Sequence, residues 1–122
     1  MIKKILLVDD SKTETLIITK ILEDAGYAVV TAGNVAQALE SLGSGKPDLI
    51  LMDVVMPGQS GFQFTRTLGK SAQYAAIPIV LCSSKNQEAD KVWGLRQGAK
   101  DYVTKPVDAA SLLAAVRRAG VA

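Results

Sequence analysis

The stretch Ile5-Leu6-Leu7-Val8-Asp9-Asp10-Ser11 decides how this chain is read. Four apolar residues without polar alternation fit a short strand covered on both faces, as in parallel sheets. Two aspartates and a serine then close the run. The same grammar returns three times. Leu49-Ile50-Leu51-Met52 leads into Asp53, Ile79-Val80-Leu81-Cys82 leads into Ser83 and Ser84, and Asp101-Tyr102-Val103-Thr104 leads into Lys105-Pro106. If the four runs are parallel strands of one sheet, their polar ends meet at its carboxyl edge, where open α/β sheets bind ligands.

Between these runs the apolar period changes to that of helices. Ser11 predicts an N-cap, with Glu14 as its capping-box partner. Lys12 to Ala25 places Ile18, Ile21, Leu22 and Ala25 on one helical face, and Gly26 is the stop signal. Ala28 to Thr31 reads as a second strand. Asn34 caps a helix to about Leu42, with Ala38, Leu39 and Leu42 inward. Further helices are predicted over Phe62 to about Gly69 and over Gln87 to Gln97. Asp108 caps a last one, in which Leu112, Leu113 and Val116 face the core. Five strands alternating with five helices predict an α/β fold, a doubly wound parallel sheet with right-handed crossovers.

Composition narrows the function. The 122 residues predict one domain, 1–122, with no output domain. With 48% apolar and 21% charged residues, the chain is globular. A net charge of +2, with no basic stripe, gives no reason to expect nucleic acid. Two lysines followed by only four apolar residues do not make a secretory signal, and no stretch is apolar for the ~18 residues a membrane span needs. A cytoplasmic location is expected. Cys82 is the single cysteine, which excludes an internal disulfide, and its apolar surroundings make it a small core residue. Histidine is absent. The chain therefore has no Ser-His-Asp or Cys-His machinery, no histidine metal ligand and no phosphohistidine of its own.

The strand-end residues suit a divalent cation and a phosphoryl group. Adjacent aspartates at a strand end repel unless something neutralises them. Oxygen-only ligands favour Mg²⁺ or Mn²⁺ over zinc or copper. Asp10 and Asp53 would be direct ligands, with Asp9 acting mainly through a water. The Val55 backbone carbonyl is the candidate for completing the set. Asp53 is also a candidate nucleophile, since a carboxylate attacks phosphorus to give an acyl phosphate. Lys105 and the Ser83 hydroxyl would stabilise charge on the phosphoryl oxygens. Each residue alone has an ordinary explanation: Asp9-Asp10 as a cap, Asp53 as a turn residue before Pro57, Lys105 as a solvated lysine. Their joint placement at strand ends argues against coincidence.

The segments ILLVDDS (5–11), LILMDVVMPGQSG (49–61), PIVLCSS (78–84) and GAKDYVTKPV (98–107) closely resemble the receiver domain of two-component response regulators, the CheY-like family. The resemblance runs from Lys4 to about Ala119. It implies a flavodoxin-like (CheY-like) five-stranded sheet in the order 2-1-3-4-5. It implies Asp53 as phosphoacceptor, Asp9 and Asp10 as the metal-binding pair, Ser83 and Tyr102 as the switch residues, and Lys105 as the lysine of the site, joined to Pro106 by a cis bond. It further implies a CheA-like histidine kinase as phosphodonor. A protein target would be reached through the face of the fourth helix, fifth strand and last helix, from a monomer or weak dimer. Such a domain catalyses only its own phosphorylation and dephosphorylation. Serine at 83 stands where threonine is commoner, and Val55 and Lys85 occupy positions that tune dephosphorylation in the family. Residues 91–107 are most similar to PilH-type regulators of pilus, twitching-motility and related chemosensory systems. Trp93, beside Val92 and Leu95, is expected to pack partly into the core, with a partner anchor as the alternative.

Other readings fit less well. A haloacid-dehalogenase-like phosphatase wants Asp-x-Asp after its first strand and a cap segment over its substrate. A flavodoxin-like redox module wants a phosphate-binding loop where Asp9 and Asp10 would repel the phosphate. A metal-blind scaffold would not need the acidic set. A phosphate sink without a dedicated target uses the same site and stays open.

Overall fold

A computed structural model describes residues 2–120 of the chain. Its elements are β1 (Lys4–Val8), α1 (Lys12–Asp24), β2 (Ala28–Ala32), α2 (Val35–Ser44), β3 (Leu49–Met52), α3 (Gly61–Gly69), β4 (Ile79–Ser83), α4 (Glu88–Arg96), β5 (Asp101–Thr104) and α5 (Ala109–Ala119). The strands form one parallel sheet in the order β2-β1-β3-β4-β5, the expected α/β architecture.

The apolar runs are continuous because helices cover the sheet on both sides. Leu6, Val8, Ile50, Met52 and Leu81 pack with Ala38 and Leu42 of α2 and with Phe64 and Leu68 of α3. Ile5, Leu7, Leu49, Leu51, Val80 and Val103 point the other way, onto Ile18 and Leu22 of α1 and Leu112, Ala115 and Val116 of α5. Burial of each large side chain in β1 and β3 contributes roughly 1.5–3 kcal/mol. This central rigidity holds the carboxyl edge in place.

Three side chains depart from the sequence expectation. Leu39 is exposed, because Ala38 and Leu42, four residues apart, already fill the buried stripe of α2. Ala25 is an exposed C-cap beyond the end of α1, not part of its inner face. Trp93 does not join the core: it stays half-exposed, like Val92 and Leu95. The helix caps at Ser11, Asn34 and Asp108 form as expected. At α1, however, Glu14 does not close a capping box. The Ser11 amide it would serve donates instead to Asp9 Oδ1 at 2.9 Å.

Candidate functional site

Strand register builds the site. Val8 pairs with Met52 and Ser83 with Thr104, so Asp9 and Asp53 follow side by side and Lys105 follows one residue past the Ser83–Thr104 pair. Backbone bonds carry the ladder past the strand ends: Asp9 N–H donates to Ala32 O at 3.0 Å, Asp53 N–H to Val8 O at 2.9 Å and Lys105 N–H to Ser83 O at 2.9 Å. The functional side chains therefore project from backbone that is already fixed.

Carboxylate oxygens of Asp9, Asp10 and Asp53 lie within 4.8 Å of one another. Asp9 and Asp53 are buried, whereas Asp10 is exposed. The Lys105 ammonium spans the pair, donating to Asp9 Oδ2 at 2.7 Å and to Asp53 Oδ2 at 3.2 Å. Burial is the largest influence on Lys105 and acts to lower its pKa. The hydrogen bond and charge of Asp9, together with Asp53, outweigh it and hold the group above the ordinary lysine value. The second oxygen of each buried carboxylate accepts one backbone bond and keeps lone-pair capacity for a cation. Asp9 Oδ1 accepts from Ser11 N–H, and Asp53 Oδ1 accepts from Val55 N–H at 3.2 Å.

Three formal negative charges thus meet one positive charge, leaving two uncompensated, the charge of one divalent cation. Carboxylate-only ligands suit a hard ion such as Mg²⁺. The donor set is compatible with such an ion, and exposed Asp10 leaves it open to water. The Val55 amide is tied to Asp53, and its side chain is exposed.

Ser83 is fully buried, and its Oγ accepts from Lys85 N–H at 3.3 Å. The Tyr102 hydroxyl donates to the Lys85 carbonyl at 2.7 Å. Burial raises the Tyr102 pKa above its usual value. The neighbouring Cys82 is buried, and burial pushes its thiol up to about 12, which makes it inert. The Lys105–Pro106 peptide is cis, as expected.

Two features of the site carry no clear signal in the sequence. The first is the backbone of Lys85, which contacts both Ser83 and Tyr102. The second is Gly61: a Cβ there would lie 2.1 Å from the Asp53 carbonyl oxygen. Gly61 N–H also donates to Val54 O at 2.8 Å. Only a residue without a side chain lets α3 start this close to Asp53. A concavity of about 540 Å³ is lined in part by Val55, Met56, Lys85 and Trp93, and by none of the three aspartates.

With this geometry in place, comparison with known proteins is decisive. Residues 5–117 match the response regulator receiver domain. The chain belongs to that family. It is 52% identical to protein PilH of Pseudomonas aeruginosa over 110 residues, covering 90% of this chain and 91% of PilH. It is 41% identical to the phosphate regulon transcriptional regulatory protein PhoB of the same organism, but spans only 53% of PhoB. Chemotaxis protein CheY4 of Vibrio cholerae superposes with a TM-score of 0.88 at 32% identity, over 98% of this chain and 99% of CheY4. The chain is thus a CheY-like receiver of two-component signalling and a PilH homologue, and the expected fold and family hold. Among the described residues, no helix is long and apolar enough to cross a membrane.

Proposed function

We propose that this receiver acts as a stand-alone phosphorylation switch in the cytoplasm, with Asp53 as acceptor and a CheA-like histidine kinase as donor. An Asp53 carboxylate oxygen forms the new O–P bond as the P–N bond of the kinase phosphohistidine breaks. The leaving imidazole nitrogen takes the bonding pair. Asp9, Asp10, Asp53 and the Val55 carbonyl would hold the Mg²⁺ or Mn²⁺ ion, which supplies charge neutralisation at the phosphoryl oxygens when bound. Lys105 gives up its bond to Asp53 and balances the phosphoryl charge. Ser83 donates its hydroxyl to a phosphoryl oxygen, and Tyr102 responds at the face of α4, β5 and α5, where a protein target binds. The domain catalyses only its own phosphorylation and hydrolysis. Pilus, twitching or related chemosensory signalling is the pathway we favour, on the strength of the similarity to PilH.

The single observation that supports this reading most is the Lys105 ammonium between Asp9 and Asp53, in a cluster short of two positive charges. The test uses acetyl phosphate with Mg²⁺. Wild type is expected to gain one phosphoryl group by intact mass, and Asp53→Asn none. Equal labelling of both, or of neither, would overturn the assignment.

A further inference from the structure

Helix α4 docks in an unusual way. A surface helix ordinarily lays an apolar stripe on the core. In α4 the buried residue is Gly94, while Val92, Trp93 and Leu95 are 42%, 49% and 49% exposed. The helix thus meets the domain through bare backbone. A Cβ on Gly94 would lie 2.9 Å from Leu81 Cδ1, 3.1 Å from Tyr102 Cδ2 and 3.3 Å from Phe62 Cε1. At the first distance something must shift, and the Leu81 side-chain end has little room to do so because Leu81 is fully buried; the other two distances are tight.

Backbone conformation does not explain this glycine, because Gly94 is not among the residues with positive φ. Helix propensity argues against it, since alanine is the better helix former. What remains is the space. The Tyr102 ring lies against the helix backbone at Gly94, while its hydroxyl is fixed on the Lys85 carbonyl at 2.7 Å. Lys85 in turn leads into α4, whose first turn is tied by Gln87 N–H to Asp90 Oδ2 at 3.2 Å. The ring is held at both ends by the same loop and helix.

We propose that Gly94 is a positioning residue whose bare backbone seats the Tyr102 ring, so that ring and helix α4 move as one. The inference rests on the proposed role of Tyr102 and deepens it. When the ring leaves, a gap opens at Gly94 and the helix settles into it. When the helix shifts, the ring loses its seat. With a methyl group at position 94 the helix is propped away from Leu81, and the ring no longer sets its position.

Trp93, the only tryptophan of the chain, adjoins Gly94 and reports on α4. Wild type, Gly94→Ala and Gly94→Ala/Leu81→Val are each titrated with beryllofluoride and Mg²⁺. Trp93 emission follows the helix, and ¹⁹F NMR follows the adduct, with Asp53→Asn as control. The expected result is a Gly94→Ala protein that still forms the adduct but keeps less than half of the Trp93 response. Leu81→Val, which removes the atom nearest the new methyl, should restore most of it. A full response in Gly94→Ala overturns the inference, as does a lost response that Leu81→Val leaves unchanged. Absence of an adduct in wild type would instead defeat the phosphoacceptor reading. In that case, or if Gly94→Ala does not fold, free wild-type protein decides. Cross-peaks between Gly94 Hα and the Tyr102 ring must be present, and Tyr102→Ala must shift Trp93 emission; failure of either overturns the seat.

Discussion

The Tyr102 hydroxyl and the Lys85 carbonyl, seventeen residues apart in the chain, meet at 2.7 Å. The same residue's N–H reaches back to Ser83 Oγ at 3.3 Å. One peptide segment thus lies between the buried hydroxyl beside the acidic cluster and the aromatic ring at the α4–β5 face. Removing the phenol oxygen by Tyr102→Phe deletes one partly exposed hydrogen bond. A stability loss of about 0.5–1 kcal/mol in urea unfolding is expected. Phosphorylation of Asp53 should proceed at close to the wild-type rate, while Ser83→Ala should leave phosphorylation possible and weaken its effect on target binding. A target affinity that still rises fully on phosphorylation of Ser83→Ala would remove Ser83 from the switch.

Lys105 is the only cation in contact with Asp9 and Asp53 among the described salt bridges. Both carboxylates are buried, so Lys105→Met leaves them repelling each other in a poor solvent. Breaking a buried charge pair from one side costs roughly 3–5 kcal/mol; the open side of this cluster argues for the lower figure, about 3 kcal/mol. The loss should be largest in a metal chelator. Millimolar Mg²⁺ should recover part of it, because an ion bound to the folded state stabilises by mass action. Denaturant melts with and without Mg²⁺ measure both effects. A variant as stable as wild type in chelator would mean that Lys105 does not neutralise the pair.

Gly61 and Gly43 make opposite predictions from the same substitution. Gly61→Ala forces a methyl group against the Asp53 carbonyl, a backbone atom that cannot swing away. A loss of about 1–3 kcal/mol is expected, with displacement of Asp53 and slower labelling by acetyl phosphate. Gly43 sits inside α2 with nothing near its missing Cβ. Gly43→Ala should stabilise by about 0.5–1 kcal/mol through helix propensity and leave labelling unchanged. Thermal melts and labelling rates of the two variants separate space from propensity.

The elements most legible in the sequence are those with the simplest physical cause. Residues 5–8, 49–52 and 79–82 read as strands because both of their faces are buried, and runs this short, closed by aspartate or serine, favour a strand over a helix of ordinary length. The meeting of Asp9, Asp53 and Lys105 follows from parallel strands ending at one edge. The packing of α4 is not legible. Val92 and Leu95 stand three apart and mimic an inward stripe, but the contact is made by Gly94, which has no side chain to signal burial. Leu39 misleads for the same reason, since apolar type alone does not say which neighbour fills the stripe. The roles proposed for Ser83 and Tyr102 come from family resemblance. Their link through Lys85 uses backbone atoms, and backbone hydrogen bonds leave no mark on residue type.

Away from the site, Asp48 supplies a pH-dependent clamp on the start of β1. Its Oδ2 accepts from the N–H groups of Lys4 and Lys3, both at 2.9 Å. The bond from Lys4, then that from Lys3, hold its pKa below the ordinary value near 3.8. The charged form is therefore favoured by folding. The sign of the linkage follows: the contribution is fully present above pH 3.8 and is lost as pH falls through the lower folded-state pKa. Asp48→Ala should melt at a lower temperature than wild type at pH 6. The gap should narrow steadily as the pH is taken below 3.8, because the wild-type carboxylate then takes up its proton. The group is almost fully solvated, so the gap itself should be modest. A difference in melting temperature that stays constant from pH 6 to pH 2.5 would show that the clamp does not depend on the Asp48 charge.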